Sequence, residues 1–229
     1  MWKDCGTGLP TAEKLCYNKK KKAGCTMGYI VSILLGYLLG CSNMAFFLAK
    51  IRKADLRSAG SGNLGASNAV VLLGWKAGVL TAVHDIGKSV IAVLLAKWLF
   101  PELEHVGAAA GVASVLGHIF PFYLKFKGGK GFASYYGMTL ALNWKLALCV
   151  GIAIVLVTVI TDYIVCGTLT TILSVPVYIG FTVSWLAAAI LCIATAVILF
   201  KHRENYPRML NGTELGLRSA IRGDNKLKK

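Results

Sequence analysis

The sequence predicts an all-α fold, a polytopic membrane bundle of about seven transmembrane helices with polar, glycine-rich loops on the cytoplasmic side. Three observations carry that expectation. Of 229 residues 56% are hydrophobic and 15% are charged, and the apolar residues fall in long blocks rather than amphipathic stripes. The blocks at 26–49, 78–100, 106–124 and 144–200 each supply about 20 or more mostly apolar residues per ~30 Å of hydrocarbon. The formal net charge of +15 sits mainly in short connections and in the tail from 201 to 229. The positive-inside rule assigns that distribution to cytoplasmic segments, so it argues topology rather than nucleic-acid binding.

Taken in order, residues 1–26 form a polar, basic leader with four lysines at 19–22. Span one, 27–49, ends in Lys50-Ile51-Arg52-Lys53, so both of its flanks are basic although one crossing should separate them. We therefore expect the leader to be disordered or an upstream extension from a wrongly chosen start codon. Segment 55–68 is too polar for a lipid-facing helix and should be a loop or a short re-entrant element. Span two, 78–100, closes at Pro101-Glu102-Leu103-Glu104-His105, an acidic turn without lysine or arginine that suits the opposite side. Span three, 106–123, returns the chain to a basic loop at 125–131. Breaks at Asn143-Trp144-Lys145, at Thr161-Asp162-Tyr163 and near 180–184 divide the rest into four further elements. The membrane domain thus covers 27–205 and a basic cytoplasmic tail 206–229, with its end from 218 expected to be disordered. Seven irregularly spaced cysteines, several inside apolar runs, indicate neither a disulfide framework nor a zinc site.

Three polar segments carry the candidate chemistry. Gly60-Ser61-Gly62-Asn63-Leu64-Gly65 spells a dinucleotide fingerprint, but it follows a membrane helix instead of a strand, and that context rejects the βαβ reading. What remains is a tight turn able to form an anion nest, with Ser61, Asn63 and Asn68 adding polar groups, or else a plain capping turn. Phe126-Lys127-Gly128-Gly129-Lys130-Gly131 is the strongest phosphate cradle, because glycines expose amides and a helix starting near Gly131 would aim its N-terminus at the same anion. A merely topogenic loop would need the lysines but not the glycines. His202-Arg203-Glu204-Asn205 follows the last span; His202 is either an acid–base or hydrogen-bonding group or an anchor of the helix end. Within span two, Asp85 and Lys88 form an i, i+3 pair whose charges must neutralise each other or support the site.

In combination these segments resemble the bacterial acyl-phosphate:glycerol-3-phosphate acyltransferases, integral membrane enzymes of phospholipid synthesis. The resemblance covers about 27–214. It rests on Tyr37-Leu38-Leu39-Gly40, on Asp55-Leu56-Arg57 with Gly60 through Asn68, on Gly117-His118-Ile119-Phe120-Pro121 with the 126–131 loop, and on His202-Arg203-Glu204-Asn205. It implies seven membrane helices in a bacterial inner (cytoplasmic) membrane and an active site open to the cytoplasm. It also implies transfer of an acyl group from acyl phosphate to the 1-hydroxyl of glycerol 3-phosphate, giving lysophosphatidic acid. Ser61, Lys130, His202 and Asn205 match catalytic positions of the family. Gly60, Gly62, Asn63, Gly65, Asn68, Lys127, Gly128, Gly129, Gly131, Arg203 and Glu204 then belong to substrate binding. The expected partners are the two substrates and membrane lipids, with no nucleic acid, no cofactor and no metal; oligomeric state is left open.

Three positions depart from the family pattern. Val71 stands where an arginine is usual, Asp162-Tyr163-Ile164-Val165-Cys166 replaces an Arg-Tyr-Val-Ser pattern, and His84 precedes Asp85 where phenylalanine is usual. Two anion-binding cations are thereby absent unless Arg57, Lys76 or Arg203 substitutes. A diverged relative with altered donor or acceptor is one alternative reading. A transporter of an anionic solute is another, disfavoured by the lack of an internal repeat. For the leader the check is mass spectrometry of protein from the source organism: a peptide covering 14–19 would refute the start-codon hypothesis.

Overall fold

The computed structural model describes residues 12–222; the expectations for 1–11 and 223–229, the start of the leader and the end of the tail, lie outside them. Among the described residues all regular structure is helical, in the order α1 (Ala12–Cys41), α2 (Met44–Ile51), α3 (Ala66–Leu73), α4 (Trp75–Leu99), α5 (Val106–Ile119), α6 (Phe132–Leu142), α7 (Trp144–Thr161), α8 (Ile164–Thr182), α9 (Trp185–Lys201), α10 (Asn205–Leu210) and α11 (Leu217–Arg222). Among the described residues five stretches, 23–51, 75–99, 106–124, 144–161 and 164–182, are long and apolar enough to cross a membrane. Helix α9, with 17 residues, and α6, with 11, complete a set of about seven apolar elements. At 1.5 Å per residue α6 is only about 16 Å long, roughly half of a hydrocarbon core. It tolerates this because Ser134, Tyr135, Gly137 and Met138 are buried against neighbouring helices.

The breaks between the later helices fall where the sequence places them, each with a local cause. Asn143 caps α7 by accepting the Leu146 amide at 3.0 Å, and Ser184 caps α9 by accepting that of Leu186 at 3.1 Å. Asp162 ends α7 in the left-handed region, φ 70°. The first span differs from the expectation in two ways. Its helix already runs from Ala12, and it breaks at Ser42-Asn43 before resuming as α2. Asn43 causes the break: its Oδ1 accepts the Phe46 amide at 2.9 Å while its Nδ2 donates to the Leu64 carbonyl at 3.1 Å, tying the helix corner to the first polar segment.

Helices α1 and α5 pack most closely. A Cβ on Gly36 would strike the carbonyl of Ala110, one on Gly40 that of Ser114, and one on Gly117 that of Tyr37. This is small-residue packing at four-residue spacing, the usual way for helices to approach in lipid, where burial from water supplies no driving force between them. Tyr37 Oη reinforces it by donating to the Phe120 carbonyl at 2.7 Å. Behind this pair a core of Val93, Val115, Ile119, Tyr135, Met138, Ile172, Leu191 and Ile198 joins α4, α5, α6, α8 and α9. Helices α4, α6 and α8 start at the end of the bundle where α5 and α9 finish, so residues 118–132 and 198–205 meet there.

Replacing Gly40 by alanine forces its methyl onto a backbone carbonyl and should cost about 1–3 kcal/mol. Gly87 has open space around its Cα, so Gly87→Ala should instead gain up to about 1 kcal/mol of helix propensity. Thermal unfolding of the two variants in detergent checks the pair; equal shifts would contradict the α1–α5 contact.

Candidate active site

The loop between α5 and α6 positions the central cation. Gly128 N–H donates to the Ile119 carbonyl at 3.0 Å and Gly129 N–H to the His118 carbonyl at 3.1 Å, folding the loop back on the last turn of α5. Any Cβ on Gly128 would meet the His118 carbonyl and Pro121, and one on Gly129 the His118 imidazole. These glycines are therefore needed for close approach, and their amides are occupied within the fold. The cradle expected from the Gly128 and Gly129 amides is thus corrected, since both amides are bonded within the fold; Lys130 and the first turn of α6, with Gly131, Phe132 and Ala133, line a cavity of about 360 Å³.

The same holds at the first polar turn. Ser61 N–H donates to Asn68 Oδ1 at 2.9 Å and Gly62 N–H to the Ala59 carbonyl at 3.2 Å. Asn68 Nδ2 donates to the carbonyls of Leu56 and Ala59 at 2.8 and 3.3 Å. Buried Asn68 therefore organises the turn, and its side chain occupies the Ser61 amide of the anion nest read from the sequence. Gly60 and Gly62 take the positive φ values the turn requires, 63° and 67°. Asn63, Gly65, Ala66 and Ser67 line the cavity, whereas Ser61 is exposed and outside its lining. Arg57 staples the turn to the second loop, its Nη2 donating to the carbonyls of Leu124 and Lys127 at 3.1 and 3.0 Å.

The third segment closes the site. Lys130 Nζ donates to Asn205 Oδ1 at 2.5 Å, and Asn205 Nδ2 donates to Glu214 Oε1 at 2.6 Å. Burial pushes the Lys130 ammonium below its ordinary pKa, with Glu214 opposing the shift. His202 is 5% exposed and lines the cavity. Its Nδ1 lies 2.9 Å from the Ile198 carbonyl, which can only accept, so Nδ1 carries the proton and Nε2 is the acceptor. Burial, aided by the charge of Lys130, lowers His202 to about 4. Arg203 and Glu204 are exposed; the Arg203 guanidinium stacks over Phe200 at 3.9 Å. Lys127 is exposed too, contributing its carbonyl to Arg57.

Asp85, for which the sequence leaves open a supporting role, joins the site, and so do His118 and Glu214, which the sequence does not assign to it. Asp85 and His118 line the cavity with Lys130 and His202. The Asp85 carboxylate lies 2.8 Å from Lys88 Nζ and 3.3 Å from His118 Nδ1. Lys88 Nζ also reaches the Ser42 carbonyl at 2.6 Å and His118 Nδ1 at 2.9 Å. The pair expected in span two is therefore neutralised, and its Asp85 is also part of the site wall. Its signal is present in the i, i+3 spacing and in Gly117-His118; Glu214 has none, because a lone glutamate in a basic tail carries no pattern. Among the described residues, none of Arg57, Lys76 or Arg203 lines the cavity. Asp162 instead pins the tail to the α7–α8 turn, its carbonyl and Oδ1 accepting the amides of Leu217 and Arg218 at 2.7 and 2.8 Å.

The cavity is polar at its loop end and apolar along Ile86, Tyr136, Ile154, Ile164 and Val165. The cavity thus sets a half-buried lysine and an imidazole acceptor at one end of an apolar groove. The chain belongs to the glycerol-3-phosphate acyltransferase family, whose model matches residues 30–212. A glycerol-3-phosphate acyltransferase of Thermoanaerobacter pseudethanolicus is 39% identical over 203 residues, covering 84% of this chain and 98% of the relative. One from Coxiella burnetii is 38% identical over 192 residues, covering 82% and 97%. Crystal structures of PlsY (YgiH), an integral membrane glycerol 3-phosphate acyltransferase, are also similar. Its glycerol 3-phosphate form matches with TM-score 0.79 at 32% identity over 83% of this chain and 96% of that one; its lysophosphatidic acid form has TM-score 0.75 at 31% identity over 82% and 94%.

Since His202 is held neutral, nitrogen-detected NMR should show its Nδ1–H tautomer at pH 6 and a protonation midpoint near 4. A folded pKa below the unfolded one means that this group's contribution to stability is complete above about pH 6.5 and shrinks as the pH falls towards 4. A midpoint near 6.5 would contradict the buried placement.

Proposed function

We propose that this membrane acyltransferase takes its acyl group from acyl phosphate and places it on the 1-hydroxyl of glycerol 3-phosphate, releasing lysophosphatidic acid and inorganic phosphate. The observation that carries the reading is the cavity in which Lys130 and His202 stand together at the head of an apolar groove. A phosphate headgroup sits at Lys130 and the first amides of α6, and the hydrocarbon chain runs between Ile86, Tyr136, Ile154 and Val165.

In this reading Asn205, itself held by Glu214, fixes the Lys130 ammonium, and the His202 Nε2 acceptor orients the glycerol hydroxyl. The hydroxyl oxygen forms the new ester bond at the acyl carbon, and the anhydride C–O bond to phosphate breaks. The proton passes to an oxygen of the departing phosphate, so neither an acyl-enzyme nor a cofactor is required. Lys130 stabilises the negative charge on the leaving group. Ser61 hydrogen-bonds substrate from the exposed rim of the first turn rather than attacking the donor. The basic loops at 50–57 and 125–130 favour the cytoplasmic side of the cell membrane for this mouth, with 27–205 as the membrane domain and 206–229 as its tail.

The test is an assay with palmitoyl phosphate and labelled glycerol 3-phosphate, run beside palmitoyl-CoA and palmitoyl acyl carrier protein. Labelled lysophosphatidic acid should form from palmitoyl phosphate alone. Lys130→Ala should lower the rate about 10- to 100-fold, the worth of one charge-assisted contact. Product from a thioester but none from acyl phosphate would overturn the donor assignment.

A further inference from the structure

A second cavity, of about 400 Å³, lies at the end of the bundle opposite the active site. Lys97 and His105 stand on its wall; Leu142, Ile179, Ala187 and Leu191 supply apolar lining. The elements fix its position. It takes the last turns of α4 and α8, the first turns of α5 and α9, and only the final residue of α6. Because α6 is 11 residues long, it stops where Lys97 Nζ donates to the Ala141 carbonyl at 3.2 Å. The Lys97 stem lies across Gly107, where a Cβ would sit 2.9 Å from its Cε. The side chain is exposed, but these two contacts fix it at the rim of the cavity.

The level of the mouth in the membrane can be read from tryptophans. Trp98, Trp144 and Trp185 are 75%, 63% and 62% exposed. Each lies within two residues of a lining residue, Lys97, Leu142 and Ala187 respectively, and exposed tryptophan marks the headgroup layer. A cation at headgroup depth over an apolar recess matches a phospholipid, with phosphate at the wall and a chain inside. The size falls within the roughly 300–1,000 Å³ of ligand sites. Glu102 and Glu104 occupy the same turn but do not line the cavity, so they do not compete for Lys97.

We propose that this cavity is a phospholipid-binding site, distinct from the catalytic one, in which Lys97 holds the phosphate and one acyl chain fills the space against Ile179, Ala187 and Leu191. The site is independent of which acyl donor the enzyme uses. The test is native mass spectrometry of the full-length protein in detergent, titrated with dioleoylphosphatidylglycerol and, separately, with dioleoylglycerol, which has the chains but no phosphate. The phospholipid should be retained at one site and dioleoylglycerol at least about tenfold more weakly. Lys97→Gln should weaken phospholipid retention by a similar factor and Ala187→Phe, which fills the recess, should abolish it. Lys145→Gln, on the same end but outside the cavity, and Lys130→Ala, in the catalytic cavity, should leave it unchanged. Helical circular dichroism confirms that each variant is folded. Equal loss in Lys97→Gln and Lys145→Gln, loss in Lys130→Ala alone, or no retained phospholipid would overturn the proposal.

Discussion

Two backbone hydrogen bonds, from the Gly128 and Gly129 amides to the carbonyls at the end of α5, seat the loop that carries the central cation of the site. They press a lysine-bearing loop against a helix terminus inside a membrane protein. There the unpaired carbonyls of α5 and the unpaired amides of the loop would each be costly without partners. Satisfying one set with the other solves both problems at once, and it directs Lys130 towards Asn205. Side chains larger than hydrogen at 128 or 129 would break the contact by colliding with His118 or its carbonyl.

The buried cluster of Asp85, Lys88 and His118 is the second consequence of that seating. Its groups are 1%, 5% and 3% exposed. An isolated charge at this depth would cost several kcal/mol, which only mutual pairing offsets. The cluster links α4 to the helix end on which the glycine loop rests, and the Ser42 carbonyl brings the α1–α2 corner into the same network. Asp85 belongs at once to a structural ion pair and to the wall of the cavity.

Much of the fold was legible because membrane helices are specified locally. Hydrophobic blocks of sufficient length, interrupted by Asn143, Asp162 and Ser184, locate α7, α8 and α9 within a few residues. The corner at Ser42-Asn43 was not legible. It depends on the Asn43 bond to Leu64, a partner 21 residues away. The loops were legible as polar, glycine-rich segments, but the use of their glycines was not. Short patterns suggested amides open to an anion, whereas those of Ser61, Gly62, Gly128 and Gly129 are consumed by the fold. A sequence displays which backbone groups exist, and only packing shows which are already bonded.

The sequence by itself determined the solvent, the helical class, the gathering of basic loops at one end of the bundle and the resemblance that the family match confirms, since all of these depend on composition and on short, ordered segments. Tertiary structure decided that Asn68 builds the first turn, that Asp85 and His118 line the cavity, and that Glu214 completes the chain of contacts through Asn205 to Lys130. Those outcomes rest on groups from separate segments meeting within 3.5 Å, from 7 residues apart at Asn68 to 75 at Lys130 and Asn205. Such meetings are set by how close helices can pack, as at Gly36 and Gly40, and that distance is a property of two surfaces together.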